Sequence, residues 1–218
     1  MPTLSEENYL KAVYNLGKQG EDKISPTAIA QALSNNPASV IDMLKKLSEK
    51  KLLQYEKTRG AKLTDKGRKT ALSIIRNHRL WEVFLLEKLG YTWDEVHSIA
   101  EQLEHVHHAD LADRLDKFLG FPQYDPHGDP IPKSNGEMPN LSTTTLLEIL
   151  PGKTCKVVGV RDTSAHFLKY LQKLQIGIGS SIKMLDKIDF DGSINIQIGK
   201  NNPVSVSKKF AENVLVET

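Results

Sequence analysis

Two segments of the chain begin in the same way. Ser25-Pro26 and, eleven residues on, Asn36-Pro37 each place a capping side chain before a proline at the first helical position. The spacing predicts a short helix followed at once by a second that runs to about Lys50. Ile29, Ala30 and Leu33 form the inner face of the first; Val40, Leu44 and Leu47 form that of the second. The turn Ser34-Asn35-Asn36 joins them as a helix-turn-helix. LLQYEKTRGAKLT comes next, with Leu53–Lys57 and Lys62–Thr64 able to pair as strands around the turn Thr58-Arg59-Gly60-Ala61. A hairpin straight after a helix-turn-helix is the wing of a winged helix. A first helix, with Ser5 as its N-cap and Glu6 and Glu7 in its first turn, leads up to about Lys18.

Charge divides the chain. Residues 1–80 carry 15 Lys and Arg against 8 Asp and Glu; residues 81–140 carry 4 against 12; residues 141–218 carry 10 against 7. A basic N-terminal part points to an anionic partner such as DNA. On the second helix of the motif, Ser39, Asp42, Lys45 and Lys46 face outward, and the small Ala38 and Ser39 permit close approach to base edges and phosphates. Thr27, Asn36 and Pro37 at the helix starts join them as DNA-contact candidates, with Lys57, Arg59 and Lys62 of the wing reaching for the phosphate backbone. The same motif can also serve packing or protein contacts.

Six of the seven histidines lie between His78 and His127, in or beside the acidic centre. A long helix is predicted over about Asp65–Leu89, then one capped by Thr92 with Glu95 three residues later. In AEQLEHVHHAD, Val96, Ile99, Ala100 and Leu103 share one face of that helix, and His97, Glu101, Glu104, His105 and His108 the other. Carboxylates with an imidazole at i, i+3 and i+4 suit Mn²⁺, Fe²⁺ or Zn²⁺. A solvated acidic face has the same pattern. One helix cannot close a site, so another must contribute; His78 and Glu82 on the preceding helix and His127 in a loop are available. Glu104 and His107 match half of a di-iron motif, without the second half such enzymes need.

A further helix is expected over about Ala109–Leu119. The proline-rich GFPQYDPHGDPIPKSNGEMPNL then reads as a loop or linker. Beyond Leu146 short β-rich runs appear, KVVGV, SIKMLDKI, SINIQIG and VLVE, with one helix over about Ser164–Leu174, the pattern of a small SH3-type barrel. Trp81, Trp93 and Cys155 read as core residues and His166 as a surface histidine. No zinc-protease motif, phosphate-cradling loop or Ser-His-Asp signature occurs, so no enzyme is expected. With no apolar run of about 18 residues, a polar N-terminus and a single cysteine, the expectation is a cytoplasmic protein with no membrane partner and no small organic substrate.

YEKTRGAKLTDKGRK, NHRLWEVFLLEKLG, WDEVHSIAEQLEHV and DPHGDPIP follow in an order and spacing that resemble the diphtheria-toxin-repressor family of metal-dependent transcription regulators. The likeness covers nearly the whole chain and favours the manganese-responsive branch, in the long form with an SH3-like domain. The resemblance implies one metal group of Asn8, Glu101, Glu104 and His105. Glutamate at 101, where the iron branch has cysteine, is the manganese pattern. Asn8 departs from the usual Asp, and Lys11 from an acidic ligand of the shorter members, which argues against a close-paired two-metal centre. A second group would use Glu82 with His78 or His97, then Asp125, His127 and Asp162, with His166 a weaker candidate.

The expected fold class is α+β: a winged helix over 1–72, a helical dimerisation and metal-binding domain over 73–140, and an SH3-like β-barrel over 141–218. The expected function is a homodimeric repressor of metal-uptake genes that binds a double-stranded DNA operator, with Mn²⁺, or alternatively Fe²⁺ or Zn²⁺, as corepressor. A winged-helix regulator of a non-metal signal and a metalloenzyme on the helical domain are the alternatives.

Overall fold

The computed structural model describes residues 2–17, 23–139 and 144–217. Helix α1 spans Leu4–Gly17, α2 Pro26–Ala32 and α3 Pro37–Glu49. Both proline-started helices are capped as their sequences require. The Ser25 side chain accepts from the Ala28 N–H at 3.1 Å, and Asn36 Oδ1 from the Ala38 N–H at 2.8 Å. Ser34 takes φ 52° in the turn that precedes α3, and Ile29, Val40, Leu44 and Leu47 are fully buried. The cap of α1 differs from the expectation. Thr3, not Ser5, opens it: the Thr3 hydroxyl accepts from the Glu6 N–H and Glu6 Oε2 accepts from the Thr3 N–H, a reciprocal capping box. The expected end of α1 at Lys18 lies outside the described residues.

Strands β1 (Leu53–Glu56) and β2 (Gly60–Leu63) form the wing, with Glu56 opposite Gly60. The turn is therefore tighter than Thr58–Ala61, and Gly60 and Ala61 are strand residues. Gly60 is needed there: its φ is +88°, and a Cβ would lie 2.5 Å from the Ile24 carbonyl oxygen. Ile24 and Ala61 exchange both backbone hydrogen bonds at 2.8 Å, so the segment before α2 adds a third edge to the hairpin.

Helix α4 covers Asp65–Leu89, α5 Val96–Leu103 and α6 Leu111–Phe118. The Thr92–Glu95 capping box precedes α5, with the Thr92 N–H donating to Glu95 Oε2 at 2.9 Å. Helix α5 ends earlier than the helical stripe expected from the sequence: Glu104 and His105 lie in the turn beyond Leu103.

The C-terminal region is an antiparallel six-stranded sheet in the order β3-β8-β4-β5-β6-β7. The strands are β3 (Thr144–Thr145), β4 (Thr154–Val160), β5 (Ser181–Lys187), β6 (Ile194–Ile198), β7 (Val204–Val206) and β8 (Val214–Glu217). Helix α7 (Ala165–Lys173) is the expected helix; α8 (Lys208–Asn213) and the short strands β3 and β7 were not read from the sequence. The core is one cluster that includes Leu146, Val157, Leu171, Ile182, Met184, Ile196 and Phe210, with Cys155 inside it. Trp93, expected in the core, is partly buried and packs against the outside of this cluster.

The chain forms two compact units. One contains the residues up to His78, Glu101–Ala112 and Pro132–Glu137; the other contains Arg79–Ala100, Asp113–Ile131 and the residues from Met138 onward. Helices α4, α5 and α6 each contribute residues to both units.

Within the second unit, the loop around His127 is docked on β4. The Val160 N–H donates to the His127 carbonyl at 2.8 Å. Gly128 and Gly159 meet backbone to backbone: a Cβ on Gly159 would lie 2.4 Å from the Gly128 Cα. Gly159→Ala is therefore expected to lower stability by about 1–3 kcal/mol, the range for overpacking. Urea unfolding of the purified variant checks it, and an unchanged midpoint would mean that the loop adapts.

Candidate metal centre

The first unit gathers ionisable side chains around Glu104, which is wholly buried. Lys11 of α1 places its ammonium 2.6 Å from Glu104 Oε2 and 2.6 Å from Glu101 Oε1. His78 of α4 lies with Nδ1 2.6 Å from Glu104 Oε2 and 3.9 Å from Glu101 Oε1. On the other side, His105 Nε2 is 3.5 Å from Glu104 Oε1. The segment at 104–105 is thus no solvated helix face. His108 is solvated, paired on the surface with Asp110 at 2.7 Å.

Sequence reasoning missed Glu7. Its carboxylate is buried and holds two histidines, His105 Nδ1 at 2.6 Å and His107 Nε2 at 2.6 Å. By engaging Nδ1 of His105, Glu7 leaves Nε2 directed at Glu104, the carboxylate–imidazole arrangement that orients a metal-ligating histidine. The signal in the sequence was a second acidic residue in the first turn of α1, which reads equally as a helix-dipole partner. Asn8 beside it has a buried Oδ1 with no hydrogen-bond partner among the described residues, and Glu104 Oε1 faces the His105 Nε2 at 3.5 Å. An unpartnered buried amide oxygen next to buried carboxylates and an oriented imidazole fits a divalent cation of the Mn²⁺, Fe²⁺ or Zn²⁺ kind.

The second unit brings together Glu82 of α4 with Asp125 and His127 of the loop, their ligand atoms within 4.8 Å of one another and all three residues buried. His127 Nδ1 is 3.3 Å from Glu82 Oε2, and its Nε2 is 3.2 Å from the Trp93 carbonyl. His97 adds its Nδ1 3.1 Å from Glu82 Oε1, from the exposed face of α5. The sequence left His78 and His97 as alternatives beside Glu82; His97 stands there, while His78 faces Glu101 and Glu104. Asp162 is outside this cluster. Its carboxylate accepts from the Ser164 N–H at 2.9 Å, just before α7, and His166 is an exposed residue of that helix.

Two carboxylates so close in a buried place oppose each other's ionisation. Burial pushes the Asp125 carboxyl up, the Glu82 charge pushes it further, and the nearby Arg79 guanidinium only partly opposes them, leaving it at about 7. For His127, burial acts downward, but the hydrogen bond and charge of Glu82 outweigh it, and the imidazole is raised. The Arg79 Nε lies 3.4 Å from Asp125 Oδ2. Asp125 Oδ1 accepts from the N–H groups of His127 and Asp129, which sets the loop.

The eleven DNA-contact candidates, Thr27, Asn36, Pro37, Ala38, Ser39, Asp42, Lys45, Lys46, Lys57, Arg59 and Lys62, are all exposed. Arg59, Lys45 and Lys46 face carboxylates: Arg59 Nε is 3.5 Å from Glu56 Oε2. Lys45 is 3.2 Å from Asp42, and Lys46 is 3.0 Å from the buried Glu6.

Comparison with known proteins follows these features closely. Residues 1–61 match the iron-dependent repressor N-terminal DNA-binding domain, residues 64–133 its metal-binding and dimerisation domain, and residues 144–218 the FeoA domain. A regulator named MntR from Oceanobacillus iheyensis is 37% identical over 56% of this chain and 81% of its own. The chain belongs to the diphtheria-toxin-repressor family of metal-dependent transcription regulators. It is a long-form member, with the SH3-like domain at its C-terminus. The iron-dependent repressor IdeR of Mycobacterium tuberculosis is 29% identical over 97% of this chain and 96% of its own. A solved manganese-dependent transcriptional repressor in complex with manganese superposes with a TM-score of 0.79 at 34% identity, covering 97% of this chain and 98% of that one. The structure of ScaR with bound Zn²⁺ gives 0.67 at 33% identity, covering 99% of each chain.

Arg79 is the guanidinium that offsets the buried Asp125. Arg79→Met should destabilise the chelator-treated protein by about 3 kcal/mol, the scale for breaking a buried pair. Thermal melts should show saturating Mn²⁺ restoring part of the loss; equal melting of variant and parent in EDTA would contradict the assignment.

Proposed function

We propose that this protein is a homodimeric DNA-binding repressor that a divalent cation, in the first place Mn²⁺, switches on at genes for metal uptake. The observation that carries the reading is the burial of Glu104 among Lys11, His78 and His105, with a buried Asn8 oxygen beside them that has no hydrogen-bond partner among the described residues. A bound cation would supply the positive charge that draws that oxygen, the Glu104 carboxylate and the His105 imidazole to one point. Asn8, Glu101, Glu104 and His105 would hold it, with His78 at the same carboxylates. Glu82, Asp125 and His127 would hold a second, with His97 beside them and Asp162 as a candidate further oxygen. The name of the manganese-bound repressor and the glutamate at 101 support Mn²⁺; the likeness to IdeR supports Fe²⁺ as the second reading.

The residues of the chain do the rest. Glu7 holds the His105 ring. The start of α3 offers Ala38 and Ser39 to a major groove, and Lys57, Arg59 and Lys62 of the wing meet phosphates. Exposed Leu89, Tyr91, Phe118 and Phe121, with Phe84 and Phe118 6.1 Å apart, are an apolar surface suited to a second copy. Two copies present two recognition helices to successive half-sites. The cation need only favour the DNA-competent arrangement over the other.

Fluorescence anisotropy with a labelled pool of genomic DNA fragments tests the reading. Binding is expected to tighten sharply as Mn²⁺ replaces EDTA. Glu104→Ala should lose at least tenfold of that gain with the fold intact by circular dichroism. Parent binding that is the same in EDTA would rule the reading out. Arg59→Ala should weaken binding to every fragment and flatten the salt dependence by about one unit of slope.

A further inference from the structure

Glu6 and Glu7 are adjacent, both almost without solvent exposure, and they point to different elements. Successive residues on a helix differ in direction by about 100°, so two neighbouring carboxylates cannot serve one partner. Glu7 holds His105 and His107, beside Glu104. Glu6 reaches the far end of the recognition helix, with Oε1 2.8 Å from Lys50 Nζ and 3.0 Å from Lys46 Nζ, and Oε2 2.9 Å from Lys50 Nζ. Thr3 donates its N–H to the same carboxylate and fixes it in the first turn of α1.

We propose that this glutamate pair is the link by which the metal group sets the recognition helix, Glu7 holding the ligand side and Glu6 the α3 side. The inference rests on the metal-activated DNA-binding reading given above. A single helical turn is stiff, so a displacement of Glu7 with His105 moves Glu6 with it. Glu6 has little freedom to absorb the movement, because parting a buried carboxylate from its ammonium partners leaves an uncompensated charge. The motion therefore passes to Lys46 in the last turn of α3 and to Lys50, which caps that helix four residues on. Lys46 is also a DNA-contact candidate on that helix. The position of Glu6 sets whether Lys46 turns inward or outward to phosphate.

The quantity that tests this is the factor by which Mn²⁺ tightens DNA binding, because allosteric coupling is a ratio of affinities. It is read by anisotropy with the same fragment pool in EDTA and in Mn²⁺, with Mn²⁺ affinity in the absence of DNA measured separately by electron paramagnetic resonance of the free ion. Glu6→Gln keeps the shape and removes the charge. It is expected to cut the factor at least fivefold and leave direct Mn²⁺ affinity within twofold of the parent. Lys50→Gln, a change on the half-exposed partner, should do the same and add little when combined with Glu6→Gln. A purely structural role would lower DNA affinity equally with and without Mn²⁺, leave the factor unchanged in both variants, and overturn the proposal. A fall in Mn²⁺ affinity as large as the fall in the factor would also overturn it, since the effect would then arise in the ligand group. A parent factor of one would overturn the functional reading and this link with it.

Discussion

A buried carboxylate without adequate partners is among the most costly features a fold can contain, and Glu104 is a buried carboxylate that draws its partners from two helices and a turn. Lys11 comes from α1 and His78 from α4, while His105 follows Glu104 in the turn after α5. The Asn77 side-chain amide donates to the Glu104 backbone carbonyl, so α4 holds the main chain as well. Glu104 thus joins α1, α4 and the turn after α5 at one carboxylate.

The second cluster meets a similar difficulty by other means. Asp125 and Glu82 share a buried space, and Arg79 gives the nearest opposing charge to Asp125. The backbone closes what charge leaves open. Asp125 is fixed by two N–H donors, and the Gly128–Gly159 contact lets the loop lie flat on β4. An alanine at either glycine would hold the backbones apart and withdraw His127 from Glu82. Two residues without side chains thus help to place His127 beside Glu82.

Much of this was legible in the sequence because the signals were local. Ser25-Pro26 and Asn36-Pro37 fix helix starts within a few residues, and the 25-residue α4 declares itself through long periodicity. The family motifs led to Glu82, Asp125 and His127 in one cluster, and to Glu101, Glu104 and His105 in the other. Other features depended on distant partners. Ser5 read as a cap until the Thr3–Glu6 pair was seen to close first. Glu7 looked like a dipole partner because nothing nearby in the chain announces His105, 98 residues on. Strand β7 and helix α8 were missed because VSV and KKFAEN are too short for a periodic signal to emerge.

The two clusters differ in how their charge is already balanced, and that difference bears on selectivity. At Glu101 and Glu104 an ammonium is covalently supplied by Lys11, so any cation arriving there competes with a charge that cannot diffuse away. At Asp125 the balance is shared between the Arg79 guanidinium and a proton, since burial and Glu82 hold that carboxyl at about 7. A cation held there would displace the proton, so its affinity would rise with pH. The ligand types alone favour zinc over manganese by the ordinary affinity order. Preference for a weaker-binding ion therefore has to arise from the surroundings. A tethered lysine at one cluster and a histidine held in place by Glu7 would limit how far the proposed ligands could contract, and a small, strongly binding ion gains most from such contraction.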